Sequence, residues 1–154
     1  MSQLVHAQSI DDIDIVRTLL REYQQGLGVD LCFQGFAAEL RGLPGAYAPP
    51  SGRLLLAFHA GAPVGCVALQ RVDTWRGEMK RLYVRSSARG AGVGRMLVAR
   101  ILAEAKSIGY GEVVLDTLPT MIDAQRLYER FGFREIEPYR PNPIVGTRYL
   151  AKTL

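Results

Sequence analysis

The sequence has little cysteine and no long apolar run, and both absences narrow the class of protein. Only Cys32 and Cys66 occur among 154 residues, and their spacing fits neither a CxxC pair nor a zinc-ligand pattern. They form no disulfide framework and indicate a reducing compartment. No window approaches the ~18 consecutive apolar residues of a membrane span, and the N-terminus lacks the features of a signal peptide. We expect a cytoplasmic protein that binds neither a metal nor a membrane.

The sequence also lacks a large excess of one charge. Lys and Arg number 19 against 15 Asp and Glu, which gives a net charge of +4. The basic residues are spread along the chain rather than gathered in a tail, so they suit an anionic small ligand at least as well as nucleic acid. A chain of 154 residues with 48% apolar content can bury one core but is short for two domains. We expect a single domain over residues 1–154.

Apolar periodicity predicts a mixed order of helices and strands. Short apolar runs predict strands at 4–9, 54–60, 64–72, 78–85, 112–118, 133–137 and 146–152. Steps of three and four predict helices near 13–27, 36–43, 93–108 and 122–130. Asp11 or Asp12 is the expected N-cap of the first helix, and Gly109 and Gly132 are expected to end the last two. This order predicts a mixed α/β or α+β layered fold.

The stretch RSSARGAGVGRML, at 85–97, places three glycines on alternate positions between two arginines, just before a helical pattern. Glycine adopts positive φ and lets a ligand approach the backbone, so the loop's N–H groups can converge on a phosphate at the helix start. Arg89 and Arg95 would add charge. A dinucleotide fingerprint would need glycine at Arg95, and the Gly-Lys-Ser/Thr ending of a P-loop is absent. From the loop alone, anion binding and a plain tight turn both stay open.

Two motifs taken together resemble one family. MKRLYVRSSARGAGVGRMLV, at 79–98, is followed by AQRLYERFGF, at 124–133. Their order and separation resemble the GNAT superfamily of acetyl-CoA-dependent N-acetyltransferases, in which an LYV strand precedes an Arg/Gln-x-x-Gly-x-Gly/Ala loop and a later A-x-x-LY-x-x-x-GF element. The matching residues are Arg89, Gly92, Gly94, Ala124, Leu127, Tyr128, Gly132 and Phe133. The clear match covers residues 78–133.

The resemblance implies a GNAT fold. We expect a central, twisted, mixed but mostly antiparallel sheet of about six to seven strands, flanked by about four helices. In that fold a splayed pair of strands forms a wedge for the coenzyme, and the LYV strand commonly carries a bulge. Apolar parity in MKRLYV is broken, with Met79 and Tyr83 on one phase and Leu82 and Val84 on the other, which a bulge would accommodate.

The resemblance also implies how the cosubstrate, acetyl-CoA or coenzyme A, would bind. The loop backbone would hold the pyrophosphate, and the strand backbone would hydrogen-bond the pantetheine arm. The loop residues are Arg89, Gly90, Ala91, Gly92, Val93, Gly94 and Arg95, and the strand residues are Leu82, Tyr83 and Val84. Met121 stands where many members carry a coenzyme-contacting Asn, so we expect fewer side-chain contacts there and an unchanged fold.

Two side chains are implied to take part in catalysis. Tyr128 matches the family tyrosine that protonates the departing thiolate, and a phenol with a pKa of about 10 is a donor at neutral pH. Packing in the core is the alternative for Tyr128. Glu78 stands where a family glutamate acts as general base or orders a water, and a solvated strand-end carboxylate is the alternative there. A backbone N–H near Val84 would stabilise the oxyanion.

The acceptor is expected to contact segments 29–52 and 138–149. Aromatic side chains beside a carboxylate could form a lid over a small cationic amine, although packing of most of them onto the core is the reading we favour. These side chains are Phe33, Phe36, Glu39, Tyr47 and, near the mouth, Trp75. The two segments look like those of bacterial GNAT proteins known mainly from sequence. Neither the acceptor nor the acyl-chain length follows from that likeness.

We expect an enzyme that transfers an acetyl group directly from acetyl-CoA to a primary amine of a small molecule or peptide, in a ternary complex. Neither cysteine lies near the motifs, which argues against an acyl-cysteine route. The alternative function is a regulatory module that binds acyl-CoA with little or no catalysis. Nucleic-acid binding is not expected, because the basic residues near the loop lack interleaved aromatics; they are Lys80, Arg81, Arg85, Arg89, Arg95 and Arg100. Homodimerisation is expected from the family alone, through the final strands.

Overall fold

A computed structural model describes residues 1–28 and 35–154, which form one sheet with helices on both faces. The strands are β1 Ser2–His6, β2 Arg53–His59, β3 Ala62–Arg71, β4 Arg76–Val84, β5 Glu112–Thr117, β6 Arg134–Glu135 and β7 Arg148–Thr153. The helices are α1 Ile10–Leu27, α2 Phe36–Arg41, α3 Val93–Ile108 and α4 Ile122–Arg130. No helix in this described part is both long and apolar enough to cross a membrane.

Seven strands follow the order β1-β2-β3-β4-β5-β7-β6 in the sheet. Every neighbouring pair is antiparallel except β4 with β5, which is parallel. The expected mixed, mostly antiparallel sheet is therefore confirmed. The final strand β7 lies between β5 and the two-residue β6 rather than at the sheet edge.

Each face of the sheet buries its own core. α3 and α4 cover one face, which we call the α3 face, where Leu97 and Ile101 contact strand residues such as Leu55. α1 and α2 cover the opposite face, which we call the α1 face, where Leu20 packs with residues such as Leu56. Because successive strand side chains point to opposite faces, the central strands are apolar on both sides.

β4 and β5 diverge after a short parallel contact. They share only three Cα pairs, which are Arg76 with Glu112, Gly77 with Val113 and Glu78 with Val114. Beyond Glu78, β4 continues beside β3 to Val84, while β5 continues beside β7 to Thr117. A gap therefore opens between the two strands, as expected for a splayed pair, and we call this gap the wedge.

A bulge interrupts β4 at Arg81, beside the wedge. The register against β3 shifts between Cys66 and Ala68, and Arg81 takes a φ of +62°, a conformation that costs roughly 1–2 kcal/mol for a residue with a side chain. Lys80 lies opposite Ala68 on the α1 face before the bulge, and Tyr83 packs on that same face after it. The extra residue reverses the parity of the strand, so the predicted bulge is confirmed.

The chain begins differently from the prediction. β1 covers Ser2–His6 instead of 4–9, because β2 extends to His59 and pairs in register with Ser2. The expected capping by Asp11 or Asp12 is wrong: Ser9 is the N-cap, and its hydroxyl accepts the Asp12 amide at 3.1 Å. Both aspartates lie in the first turn, where their charge favours the helix dipole.

The later helices end as predicted, and one strand is shorter. α3 ends at Gly109, which has a φ of +112°, and α4 ends at Arg130, two residues before Gly132. The predicted strand at 133–137 is reduced to Arg134–Glu135, because the chain leaves β7 after two paired residues.

Candidate active site

The glycine loop connects β4 to α3 and presents unbonded amides. Gly90 and Gly92 have φ values of +85° and +79°, and no side chain caps the helix that Gly92 precedes. The first hydrogen bond of α3 joins the Met96 amide to the Gly92 carbonyl at 3.1 Å. Within the described residues, three amides at this end lack an acceptor: Val93, Gly94 and Arg95. These donors and the positive end of the helix dipole favour an anion.

The space above the loop is open and positively charged. A Cβ built on Gly90 or Gly92 would meet no atom within 4 Å. Arg85, just before the loop, donates to both carboxylate oxygens of Glu22, at 2.9 and 2.6 Å. Arg89 and Arg95 are exposed, and in the part of the chain described they make no ion pair within 4.0 Å. Both guanidinium groups are thus available to an anion on the loop.

Gly94 brings the two sequence motifs into contact. A Cβ at Gly94 would lie 3.4 Å from Leu127 Cδ2 on α4 and 3.8 Å from Val84 Cγ2 at the end of β4. The start of α3 at Gly94 therefore lies within contact distance of the LY element of α4. The loop motif and the A-x-x-LY motif form one site in space.

A cavity opens in the wedge and is lined from both faces of the sheet. Met79 and Leu82 of β4 and Tyr128 of α4 belong to the α3 face. Tyr23 and Leu27 of α1 line the cavity from the opposite face. The other lining residues are Lys80, Arg81, Asp116, Leu118, Met121 and Asn142. A ligand in the wedge would therefore be accessible to groups on both faces.

Tyr128 is buried at the cavity, with 4% of its surface exposed. Its ring packs against Phe133 with centroids 5.7 Å apart. Burial, and to a smaller extent Tyr23 and Asp116, raise the pKa of Tyr128 above its usual value, so the hydroxyl keeps its proton at neutral pH. No group among the described residues hydrogen-bonds that hydroxyl, which is uncommon for a buried polar atom. Tyr128 is thus both a core residue and an unpartnered donor at the wedge.

Of the three β4 residues predicted to contact the pantetheine arm, the backbone groups of some face the wedge and those of others face β3. The Arg85 amide donates to the β3 carbonyl of Val64 at 2.7 Å. Since backbone groups alternate in direction along a strand, Tyr83 also points its backbone groups at β3. Leu82 and Val84 point theirs the other way, into the wedge. The Tyr83 side chain packs on the α1 face, so of the predicted trio only Leu82 and Val84 face the gap.

Glu78 is fully buried, with 0% of its surface exposed. Its carboxylate accepts hydrogen bonds from Gln70 Nε2 at 2.8 Å, Tyr139 Oη at 2.6 Å and Arg140 Nη2 at 2.7 Å. The alternative of a solvated strand-end carboxylate is therefore wrong. Glu78 does not line the cavity, and three donors already occupy its oxygens. Its role as general base stays a prediction that this arrangement does not support.

Asp116 lines the cavity beside Tyr128, and the sequence motifs did not identify it. It lies in β5, and Asn142 Nδ2 contacts its carboxylate at 3.4 Å. No Lys or Arg of the described residues lies within 4.0 Å of that carboxylate. The available signal was an aspartate directly after the apolar run VVL in the strand EVVLDT, because a carboxylate is rarely placed beside a core unless it has a partner.

The proposed aromatic lid is part of the core instead. Phe36 and Tyr47 are each 3% exposed and pack on the α1 face. Arg81 donates to both oxygens of Glu39 at 2.9 and 2.8 Å. Burial raises the pKa of Glu39, but the hydrogen bonds and charge of Arg81 outweigh it and leave the pKa below its usual value. The core alternative is confirmed for Phe36 and Tyr47, whereas Phe33 lies outside the described residues.

Trp75 does not lie at the mouth of the wedge, so that prediction is wrong. It is 60% exposed and sits in the turn between β3 and β4, where its carbonyl accepts the Gly111 amide at 2.9 Å. This turn adjoins Arg76 and Glu112, the first parallel pair. Trp75 therefore marks the closed end, where β4 and β5 are still joined.

The remaining candidates do not form sites of their own. Cys66 is buried, and burial raises the pKa of its thiol to about 12, so it is not a ready nucleophile. Cys32 lies outside the described residues. Across residues 1–28 and 35–154 no three His, Cys, Asp or Glu side chains form a metal-binding group. The basic residues near the loop form no single surface, because Arg81, Arg85 and Arg100 each pair with a glutamate.

Comparison with known proteins identifies the family. The family model described as Acetyltransferase (GNAT) family matches residues 16–133, a range that contains most of α1, the wedge, the glycine loop and α4. The chain is 43% identical over 144 residues to an uncharacterised N-acetyltransferase of Schizosaccharomyces pombe, covering 90% of this chain and 86% of that protein. With a yeast protein among the relatives, the expected likeness to a bacterial group stays a prediction.

Solved structures share the fold. An acetyltransferase of the GNAT family from Staphylococcus aureus has a TM-score of 0.82 and 21% identity, with 99% of both chains covered. The PaiA N-acetyltransferase from Thermoplasma acidophilum, solved in complex with coenzyme A, has a TM-score of 0.76 and 15% identity, with 100% of this chain and 99% of that chain covered. At these identities the matches show the common fold.

Proposed function

We propose that this chain, which belongs to the acetyltransferase (GNAT) family and is an acyltransferase, transfers an acetyl group directly from acetyl-CoA to a primary amine of a small molecule or peptide. One observation carries the proposal: α4 contacts the start of α3, where amides are unbonded, through Leu127, and places the unpartnered hydroxyl of the next residue, Tyr128, at the wedge cavity. The amides suit an anion, and the hydroxyl suits a leaving group that needs a proton. A similar fold has been solved with coenzyme A.

The loop has the features that a coenzyme pyrophosphate requires. Its glycines leave open space, its amides are unbonded, and Arg89 and Arg95 can pair with charged oxygens. The backbone groups of Leu82 and the carbonyl of Val84 would then hydrogen-bond the pantetheine arm along the wedge. Met121 lines the cavity at the start of α4, where its sulfur accepts the Thr117 hydroxyl at 3.9 Å. The coenzyme would therefore be held mainly by backbone groups.

Acetyl-CoA, when bound, supplies the thioester carbonyl that an amine attacks and carries the sulfur away as the thiol. Tyr128 donates its phenolic proton to that sulfur as the C–S bond breaks, and solvent restores the proton afterwards. The Val84 amide, which points into the wedge, donates a hydrogen bond to the carbonyl oxygen as negative charge develops there. Tyr128 reaches the thioester from the α3 face, and the Val84 amide reaches it from the edge of β4.

Asp116 takes the proton from the attacking amine. An amine must be neutral to attack, and Asp116 is the one carboxylate among the described residues that lines the cavity. The half-buried Asp116 also attracts an incoming ammonium before the proton is lost. Glu78, by contrast, holds Tyr139 and Arg140 in place on the α1 face. The proton therefore leaves through Asp116 rather than through Glu78.

The first experiment combines binding and turnover in the same samples. Calorimetry measures binding of coenzyme A and acetyl-CoA to the purified chain, and a thiol-release assay then tests amines, polyamines, amino acids and peptides. We expect binding together with thiol release that depends on an amine. Binding without release from any acceptor would favour the regulatory acyl-CoA-binding module. Absence of binding would overturn the assignment of the loop.

A further inference from the structure

Two of the charged side chains that line the wedge cavity make no ion pair with any described residue. Three charged side chains line the cavity, namely Lys80, Arg81 and Asp116. Arg81 is neutralised by its double hydrogen bond to Glu39. Lys80 and Asp116 make no ion pair within 4.0 Å with each other or with any described residue. One cation and one anion are therefore left without a partner at the same cavity.

Lys80 lies at the end of the wedge away from the glycine loop, and we call this end the acceptor half and the loop end the coenzyme half. It lies opposite Ala68 on the α1 face, next to the bulge. The glycine loop begins beyond Val84, and four residues of strand correspond to roughly 13 Å at about 3.3 Å per residue. The pantetheine arm that would run between these points has no charge. The coenzyme therefore offers Lys80 no anionic group.

We propose that Lys80 binds a carboxylate of the acceptor, so that the natural acceptor is an amine that also carries a carboxylate, as an amino acid does. The inference rests on the proposed function and extends it to the class of acceptor. Such a zwitterion places its ammonium at Asp116 and its carboxylate at Lys80, and both leftover charges are then paired. A doubly charged phosphate would leave one negative charge in excess.

The surroundings of Lys80 fit this assignment. Lys80 is only partly exposed, and a buried ammonium without a partner is unfavourable. Burial and the nearby Arg81 guanidinium both lower the pKa of Lys80 from its usual value. A bound carboxylate offsets both effects, because it replaces lost water and opposes the positive charge of Arg81. Asn142, which also lines the cavity, can donate a further hydrogen bond.

The test compares acceptors that differ only in the carboxylate. Amino acids with different separations between amine and carboxylate are each paired with the amine that lacks the carboxylate and with the amine that carries a phosphate instead. The kcat/KM ratio within each pair is measured for wild type, Lys80→Met and Lys80→Arg. Lys106→Met is the matched control, because Lys106 is exposed on α3. Coenzyme binding in each sample shows that the variant is folded.

We expect wild type to favour one carboxylate-bearing acceptor over its carboxylate-free partner by about 10²-fold. Lys80→Met reduces that ratio to about 1, Lys80→Arg keeps most of it, and Lys106→Met keeps all of it. Turnover without a carboxylate preference, a preference that survives Lys80→Met, or a stronger preference for the phosphate would overturn the inference while the proposed function stands. A fall in kcat by the same factor with every acceptor in Lys80→Arg, at an unchanged ratio, would instead assign Lys80 to proton transfer.

A second readout does not need turnover. Calorimetry measures binding of N-acetylated amino acids, and of their carboxamides, to the protein saturated with coenzyme A. Binding of the carboxylates that is lost in Lys80→Met supports the anion site even if no amine releases thiol, in which case only the proposed function fails. No carboxylate binding and no thiol release together would overturn both.

Discussion

The proposed site has a coenzyme half at the glycine loop and an acceptor half in the wedge, and the two halves are built from different kinds of groups. On the coenzyme half, the donors are backbone amides of Val93, Gly94 and Arg95, which follow one another in the chain. On the acceptor half, the groups are the side chains of Lys80 and Asp116, which come from different strands. Backbone donors suit a ligand that never changes, whereas side chains can be exchanged one by one. The difference teaches where the constant and the variable parts of the reaction are held.

The largest effect is expected from a charge placed in the coenzyme half. Gly92→Glu puts a carboxylate where the pyrophosphate would lie, and calorimetry should show coenzyme affinity reduced by about 10³-fold or more. Gly61→Glu is the matched control, because Gly61 has a similar φ of +81°, equally open surroundings and a place in the turn between β2 and β3. Both variants should lose similar stability. Equal coenzyme affinity in the two would remove the distinction between the halves.

The junction of the two halves is tested at Tyr128. Tyr128→Phe removes only the hydroxyl, so kcat should fall by about 10²-fold or more while coenzyme affinity stays near wild type. Tyr110→Phe provides the comparison, because the Tyr110 hydroxyl donates to the Ser51 carbonyl at 2.6 Å, far from the wedge. That control should lower the melting temperature and keep kcat. Full activity in Tyr128→Phe would assign the proton transfer to water.

In the acceptor half, variants of two carboxylates, Asp116 on β5 and Glu78 on β4, test which of them takes the proton from the amine. Asp116→Asn should lower kcat/KM by about 10²-fold at neutral pH, and the loss should shrink as the pH approaches the pKa of the free amine, which then arrives already neutral. Glu78→Gln should lower the melting temperature and keep the shape of the pH profile, because Glu78 only accepts internal hydrogen bonds. The opposite assignment of the two profiles would return the role of base to Glu78.

The last prediction concerns the stability of the fold rather than activity, and it compares a buried ion pair with an exposed one. Arg81→Met leaves Glu39 buried without its partner, which should cost about 3 kcal/mol of unfolding free energy. Arg100→Met breaks an exposed pair with Glu104 and should cost less than about 1 kcal/mol. Denaturant titration of both variants measures the difference. Similar costs would mean that the Arg81 pair contributes no more to the fold than a surface ion pair.

The coenzyme half could be predicted from sequence because its signal is local. Three alternating glycines, a following helix and a broken apolar parity all occur within residues 79–98, and each has a direct backbone consequence. The loop and the bulge were therefore expected from these residues, whereas the splayed strands were expected from the resemblance to the GNAT superfamily. The start of α1 and the length of β6 were not, since they depend on capping by Ser9 and on where the chain stops pairing with β7.

The acceptor half could not be predicted in the same way. Glu78 looked like a base because of its position before the loop, but Tyr139 and Arg140, some sixty residues later in the chain, occupy it. Glu39 looked like part of a lid, but the bulge turns Arg81 toward it. Pairings over such sequence distances depend on how strands meet, which no spacing in a single sequence shows. Asp116 was missed for the same reason.

The bulge at Arg81 also divides the protein for anyone who wishes to redesign it. If Lys80 binds the acceptor as proposed, residues before the bulge set the acceptor and residues after it lead to the proposed coenzyme loop, so a library at Lys80 would change substrate scope and leave coenzyme binding intact. Deleting Arg81 would remove the extra residue and the bend, and Leu82 and Tyr83 would keep their present faces, whereas a deletion elsewhere in the strand would reverse the faces of the residues beyond it. Substitutions in β4 keep each side chain on its face of the sheet, whereas insertions or deletions that leave the bulge in place do not.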